Sequence, residues 1–171
     1  MGMENEDLIL ANIIANKRKK SGSLEVLTFV TIDNHGGFQD ETRTYDQLWE
    51  NGQKVAHCLE QEEMRKGDSF AIMMQNHPEF VDTMVGSSII GTIFVPIDPR
   101  TKGKKLTFML SHADCKGIVI GDYALGNLSE IIHECKKLEW IWIVGSKSIS
   151  SLRNKLFSDV LKPSHDEMEI R

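Results

Sequence analysis

The sequence predicts an α/β protein: an open, mostly parallel sheet flanked by helices on both faces, preceded by an N-terminal helix and a β-hairpin. Three observations predict it. Short apolar runs with little alternation recur at 70–74, 93–97, 117–120 and 140–144, as expected of strands buried on both faces. A segment of helical period lies between each run and the next. One alternating stretch, Val26, Thr28, Val30 and Ile32, precedes them all and runs into a turn at Asn34, His35, Gly36 and Gly37.

Each element has a local reason. Leu8, Ile9, Ile13 and Ile14 suggest one face of a short amphipathic helix. Thr44 with Gln47 three residues later forms a capping-box pattern, and Leu48, Gly52, Val55, Ala56 and Leu59 share a helical face. Gly52 costs ~1 kcal/mol against Ala in mid-helix, so close backbone packing is its expected reason. The turn Lys66-Gly67-Asp68 leads into the strand at 70–74. Pro78 then suits a first helical position, with Asn76 or His77 able to cap. Phe80, Val81, Met84, Val85 and Ile89 form the expected buried stripe, and Gly91 can end the helix. Next come the strand at 93–97, a lysine-rich turn, a helix over 106–111, the strand at 117–120, the helical segment "YALGNLSEIIHECKKL" and the strand at 140–144. After Gly145 the pattern weakens. Residues 1–145 are therefore read as one α/β subdomain, and 146–171 as a polar, flexible tail with one helical turn at 156–161.

Composition bounds the function. A chain of 171 residues suits one domain, and 40% apolar with 26% charged residues is globular. A net charge of −5 argues against general nucleic-acid binding. The three cysteines, Cys58, Cys115 and Cys135, are odd in number and lack CxxC spacing, so they read as reduced thiols. Acidic residues precede the basic run at 17–20, the reverse of a secretory signal, and no apolar run approaches the ~18 residues of a membrane span. A cytoplasmic protein without a membrane span is expected.

A search for chemistry at the strands' carboxyl ends, where open α/β sheets bind ligands, finds little. The turn "QNHP" lacks the glycines of a dinucleotide fingerprint, and "GDYALG" lacks the lysine of a phosphate loop. The GxxxxG spacing from Gly86 to Gly91 falls within a helix and reads as helix packing. The six histidines have no metal-ligand spacing. His77 alone among them sits at a strand's carboxyl end, where a cap is its plainer role. Asp98 is placed to act at a site mouth, but more simply shapes the turn before Pro99. No GxSxG elbow is present.

Taken in order, "RTYDQLWENGQKVAHCL", "MRKGDSFAIMMQNHPEFV" and "GTIFVPIDPRTKGKKLTFMLSHADCKGIV" resemble the opening segment of the adenylate-forming (AMP-binding) enzymes: acyl- and aryl-CoA synthetases, nonribosomal adenylation domains and firefly luciferase. The matching pieces are Thr44-Tyr45 opening a helix, Lys66-Gly67-Asp68 before a strand, and Asn76 with Pro78-Glu79-Phe80 after it. Gly91 followed by Val95-Pro96-Ile97-Asp98-Pro99-Arg100 completes the set. The stretch 64–100 looks most like the crotonobetaine/carnitine-CoA ligase group. The resemblance implies an acid–thiol ligase: a carboxylate attacks the α-phosphate of ATP to give acyl-AMP, and CoA then displaces AMP as the thioester forms. ATP, Mg²⁺ and CoA are implied for the full-length enzyme. The family's phosphate loop, ribose aspartate and C-terminal lysine have no match here. No catalytic residue is therefore carried over, and this chain alone is expected to be inactive and to bind none of these cofactors. The expected partners are the remainder of the ligase and, through it, a small carboxylic acid; a homodimer is also open. Two other readings stand beside this one, a free-standing interaction module of the same fold and a flavodoxin-like small-ligand binder.

Lys102, Lys104 and Lys105 crowd a predicted helix start, where the helix dipole disfavours each cation by ~0.3–1 kcal/mol. In light of the resemblance they are candidate contacts for the phosphates of CoA. The simpler reading is solvated lysines leaning away from the terminus.

Overall fold

In the computed structural model, which describes residues 8–32, 35–147, 149–150, 152–162 and 167–171, the strands sort alternate side chains between two cores. The elements are α1 (Leu10–Ser21), β1 (Glu25–Ile32), β2 (Phe38–Thr44), α2 (Tyr45–Gln61), β3 (Ser69–Met73), α3 (Pro78–Ile90), β4 (Ile93–Pro96), α4 (Gly103–His112), β5 (Gly117–Gly121), α5 (Leu125–Ile131), β6 (Trp140–Val144), β7 (Arg153–Leu156) and α6 (Phe157–Val160). Five strands form one parallel sheet in the order β4-β3-β5-β6-β7. Phe70, Ile72, Val119, Trp140 and Trp142 join the core shared with α1, α2, α3 and α6. Ala71, Met73, Ile118, Ile120, Ile141 and Ile143 join the core under α4 and α5. Both faces are covered, which is why these runs show so little polar alternation.

The hairpin β1–β2 pairs antiparallel as a separate two-stranded sheet, with Ile32 opposite Phe38. Its buried side chain is Phe29, while Val30, Ile32 and Phe38 stay exposed, so the apolar alternation marks the strand but not its inner face. The expected turn residue Asn34 lies outside the described residues. In α1 the buried positions are Ala11 and Ile14, not Leu8, Ile9 and Ile13: the helix docks by its slimmest side, and the Ala11 amide donates to Ser88 Oγ at 3.0 Å.

The Thr44 capping box forms as expected, Gln47 N–H donating to Thr44 Oγ1 at 3.2 Å and Thr44 N–H to Gln47 Oε1 at 2.9 Å. Gly91 ends α3 in the left-handed region with φ 72°. Of the expected stripe on α3, Val85 and Ile89 are buried while Phe80, Val81 and Met84 are only half-buried against the core; the helix turns slightly, so that Asp82, Thr83 and Ser87 are buried as well. Ser87 Oγ donates to the Thr92 carbonyl at 3.0 Å, which satisfies the hydroxyl inside the fold.

The stretch 146–171 departs most from expectation. Its described part does not behave as a surface tail: β7 pairs parallel to β6 at the sheet edge, and Phe157 and Val160 enter the core. The short polar run "RNKL" gives little strand signal because a buried acid brought from far away organises it. Glu62, 3% exposed, takes Arg153 Nε at 3.0 Å, Lys155 Nζ at 2.8 Å and Trp142 Nε1 at 3.1 Å. Further on, the Gln53 side-chain amide bonds both the carbonyl and the N–H of Met168, and the Arg171 amide donates to the Ile89 carbonyl at 2.8 Å. Among the described residues no helix is long and apolar enough to cross a membrane.

Candidate functional site

The chain leaves β3 through α3 on one face of the sheet and leaves β5 through α5 on the other. As β3 and β5 are neighbours, their connections part at the carboxyl ends. Such a switch point opens a crevice without help from any particular side chain. Gln75, Asn76 and His77 approach it from β3, and Asp122 and Tyr123 from β5.

Tyr123 closes one side. The Gln75 amide donates to its hydroxyl, and its ring stacks on His77 with centroids 5.9 Å apart and planes 25° from parallel. Burial and the neighbouring Asp122 push the phenol upward while the Gln75 amide opposes them, so it stays protonated at neutral pH. His77 is the N-cap residue of α3, yet its side chain makes no capping bond, and its Nε2 is buried without a partner. The cap role anticipated for His77 is thus made by backbone position alone. Asp122 is used structurally, accepting from the amides of Ser146 at 3.1 Å and Lys147 at 3.4 Å.

The loop after β4 is fixed at the same end of the sheet. Asp98 accepts from the Arg100 amide at 2.8 Å, from Nε at 3.0 Å and from Nη2 at 2.6 Å. These bonds, first the side-chain ones, hold its carboxyl down at about 2. The carboxylate is already engaged, as the turn-shaping reading requires. Asn127 Nδ2 donates to the Pro99 carbonyl at 3.0 Å and ties the loop to α5.

The helix α4 starts three residues earlier than the apolar period suggests, at Gly103, so Lys104 and Lys105 lie in its first turn and Lys102 is its N-cap residue. All three are exposed, no side chain caps the helix, and its first turn contains no acidic residue. The cations therefore do face an unfavourable dipole, and among the described residues no ion pair engages them.

Other groups contribute less. The three thiols are buried, and burial drives Cys115 up to about 12, far from a thiolate nucleophile. A cavity of about 210 Å³ beside Cys115 and Cys135, and another of about 360 Å³ beside Ser69 and Lys116, open at the amino ends of the strands. Their charges are partly matched already, Lys116 with Asp68 at 2.8 Å and Lys137 with Asp114 at 2.6 Å. The carboxyl end, with its unpartnered His77 nitrogen and unmatched lysines, is the stronger site. Tyr123 and Asp122 were not singled out from sequence, and Asn127 drew notice only as the start of the sequon "NLS". The signal for Tyr123 is its place two residues past the end of a buried strand.

Among the described residues no three His, Cys, Asp or Glu side chains converge on one point, and no glycine-rich turn follows a strand of the main sheet. The lysines are chemically suited to phosphate, as in CoA, but as point charges without a buried partner.

Comparison with known proteins agrees with this fold. The anthranilate CoA ligase AuaEII, solved in complex with anthranoyl-AMP, superposes with a TM-score of 0.80 at 18% identity, over 98% of this chain and 32% of that one. The 4-hydroxybutyrate–CoA ligase 2 of Metallosphaera sedula is 26% identical over 99 residues, 58% of this chain and 18% of that protein. The human acyl-coenzyme A synthetase ACSM2B, mitochondrial, is 27% identical over 124 residues, 71% of this chain and 22% of that protein. The chain thus spans about a fifth of the length of these curated relatives. The sequence profile described as AMP-binding enzyme matches residues 18–168, most of the chain, and this chain belongs to that family.

Proposed function

We propose that this chain is the amino-terminal α/β portion of a cytoplasmic, ATP-dependent acyl-CoA ligase. The observation behind this reading is the match of residues 18–168 to the AMP-binding family. The complete ligase joins a small carboxylic acid to CoA through acyl-AMP, using ATP and Mg²⁺ held by residues outside this chain. This part supplies scaffold and, at Lys102, Lys104 and Lys105, a patch for the phosphates of CoA. The exposed apolar face of the hairpin, Val30, Ile32 and Phe38, suits a surface covered by the rest of the ligase.

Two measurements test the proposal. The chain 1–171 should exchange no pyrophosphate into ATP with any acid, crotonobetaine and carnitine being the first to try. Acid-dependent exchange would overturn the scaffold role. In the complete ligase, Lys102→Glu with Lys104→Glu should raise the KM for CoA and spare that for ATP. Unchanged CoA kinetics would leave the lysines as solvated surface.

A further inference from the structure

The outward side of α1 is apolar at one end and basic at the other. Ile9, Ile13, Lys17 and Lys20 follow one another at i, i+4, i+8 and i+11, a single stripe along the helix. The stripe lies opposite Ala11 and Ile14, which dock the helix on the fold. Leu8 is 60% exposed, Ile9 36% and Ile13 37%, so three large apolar side chains meet water at this end. In the basic run, Arg18 pairs within the fold, with Asp46 at 3.1 Å and Glu167 at 3.3 Å. Lys17, Lys19 and Lys20 are exposed, and no ion pair engages them among the described residues.

Ahead of the stripe the sequence carries Glu4, Glu6 and Asp7. Along one short segment the order is therefore acidic, apolar, basic. The helix dipole favours that order of charge, but it gives no reason to leave Leu8, Ile9 and Ile13 in water. A second copy of the same segment, turned end for end, does. Its order then reads basic, apolar, acidic, so the two copies match at both ends and in the middle, each contact occurring twice about a twofold axis. With Ile9 of one copy against Ile13 of the other, the lysines of each copy lie toward the acidic end of its mate. A lipid surface would accept the apolar side chains and the lysines, but it would set its phosphates against the three acids beside them. The order of charge favours a second copy.

We propose that the outward face of α1 is a self-complementary docking surface that pairs two copies of this chain antiparallel. The face is small, which puts the pair in the weak, transient class, half-associated at roughly 100 µM. The inference stands apart from the ligase reading, since it uses no substrate or cofactor site.

The test is sedimentation equilibrium of the chain 1–171 at low salt. The mass should rise with concentration from 19.4 kDa toward twice that value. Ile9→Glu with Ile13→Glu should leave a folded monomer, as both side chains lie at the surface. Phe38→Glu, on the exposed hairpin face, should leave the dimer intact. Charge exchange tests the orientation. Lys17→Glu with Lys20→Glu, and separately Glu4→Lys with Glu6→Lys and Asp7→Lys, should each pair ~tenfold more weakly with itself, while an equal mixture of the two variants should restore pairing. A chain that stays monomeric to roughly 1 mM overturns the proposal. So does a dimer that survives Ile9→Glu with Ile13→Glu but is lost on Phe38→Glu, or a mixture no better than its components. A monomer that sediments with phosphatidylserine–phosphatidylcholine vesicles, and stops doing so on Ile9→Glu with Ile13→Glu, gives the face to lipid and overturns it as well.

Discussion

Gly52 and Gly86 bring α2 and α3 into backbone contact: a Cβ on Gly86 would stand 2.9 Å from the Gly52 carbonyl oxygen and 2.4 Å from Val55 Cγ1. The relation is nearly reciprocal, since a Cβ on Gly52 would stand 2.5 Å from Val85 Cγ1. The helices give up helix propensity at two positions and gain an approach that no larger residue permits. Gly86→Ala should therefore destabilise the fold by ~1–2 kcal/mol, the strain of overpacking outweighing the ~1 kcal/mol of propensity that alanine restores. A urea midpoint that rose instead would show that the helices can part without loss.

Glu62 holds the edge strand. Removing its carboxylate in Glu62→Ala leaves Lys155 and the Trp142 indole N–H without their acceptor in a largely buried place. Arg153 is half exposed and loses little. The cost should be ~2–3 kcal/mol and should fall on β7 first. Hydrogen exchange checks this: amides of β7 should lose protection while those of β5 keep theirs.

Stability should depend on pH through Asp82. Its unfolded value is ~3.9, as for any aspartate. In the folded chain burial raises it to about 7. Between those two values the folded state binds the extra proton, so its contribution is complete below the unfolded value and is lost as pH rises through about 7. The loss can reach ~4 kcal/mol over that whole range, the opposing pull of Arg43 on the ionised form being already part of it. Chemical denaturation at pH 5 and pH 8 captures about two-thirds of it, and Asp82→Asn should flatten the difference.

The lysines of α4 predict opposite signs for stability and binding. Replacing Lys104 by Glu puts an anion in the first turn, where the dipole favours it, and should stabilise the chain by ~0.3–1 kcal/mol. The same change should weaken phosphate contacts if CoA docks there. A melting temperature that falls on Lys104→Glu would mean that the lysine makes a stabilising contact of its own.

Much of the fold was legible because the signals are local. The apolar runs at 70–74 and 140–144, the Thr44–Gln47 capping box, Pro78 at the first position of α3 and Gly91 at its end each need only their neighbours in the chain. Gly52 was legible too, because a glycine inside a helix asks for a close neighbour, though not for which one. The site was far less legible. His77 could be placed at a strand end, but not its stacking on Tyr123, which joins two turns 46 residues apart.

By itself the sequence determined the class of fold, the order of its elements and, by resemblance, the family, since all three rest on periodicity and short motifs read along the chain. Only the tertiary structure decided that "RNKL" is a strand and that Asp82 is buried with half its oxygens unmet. Those outcomes depend on partners distant in sequence: Glu62 for β7, Arg43 and Asn51 for Asp82. A buried charge takes its energy from whatever surrounds it in space, and a sequence does not list those surroundings.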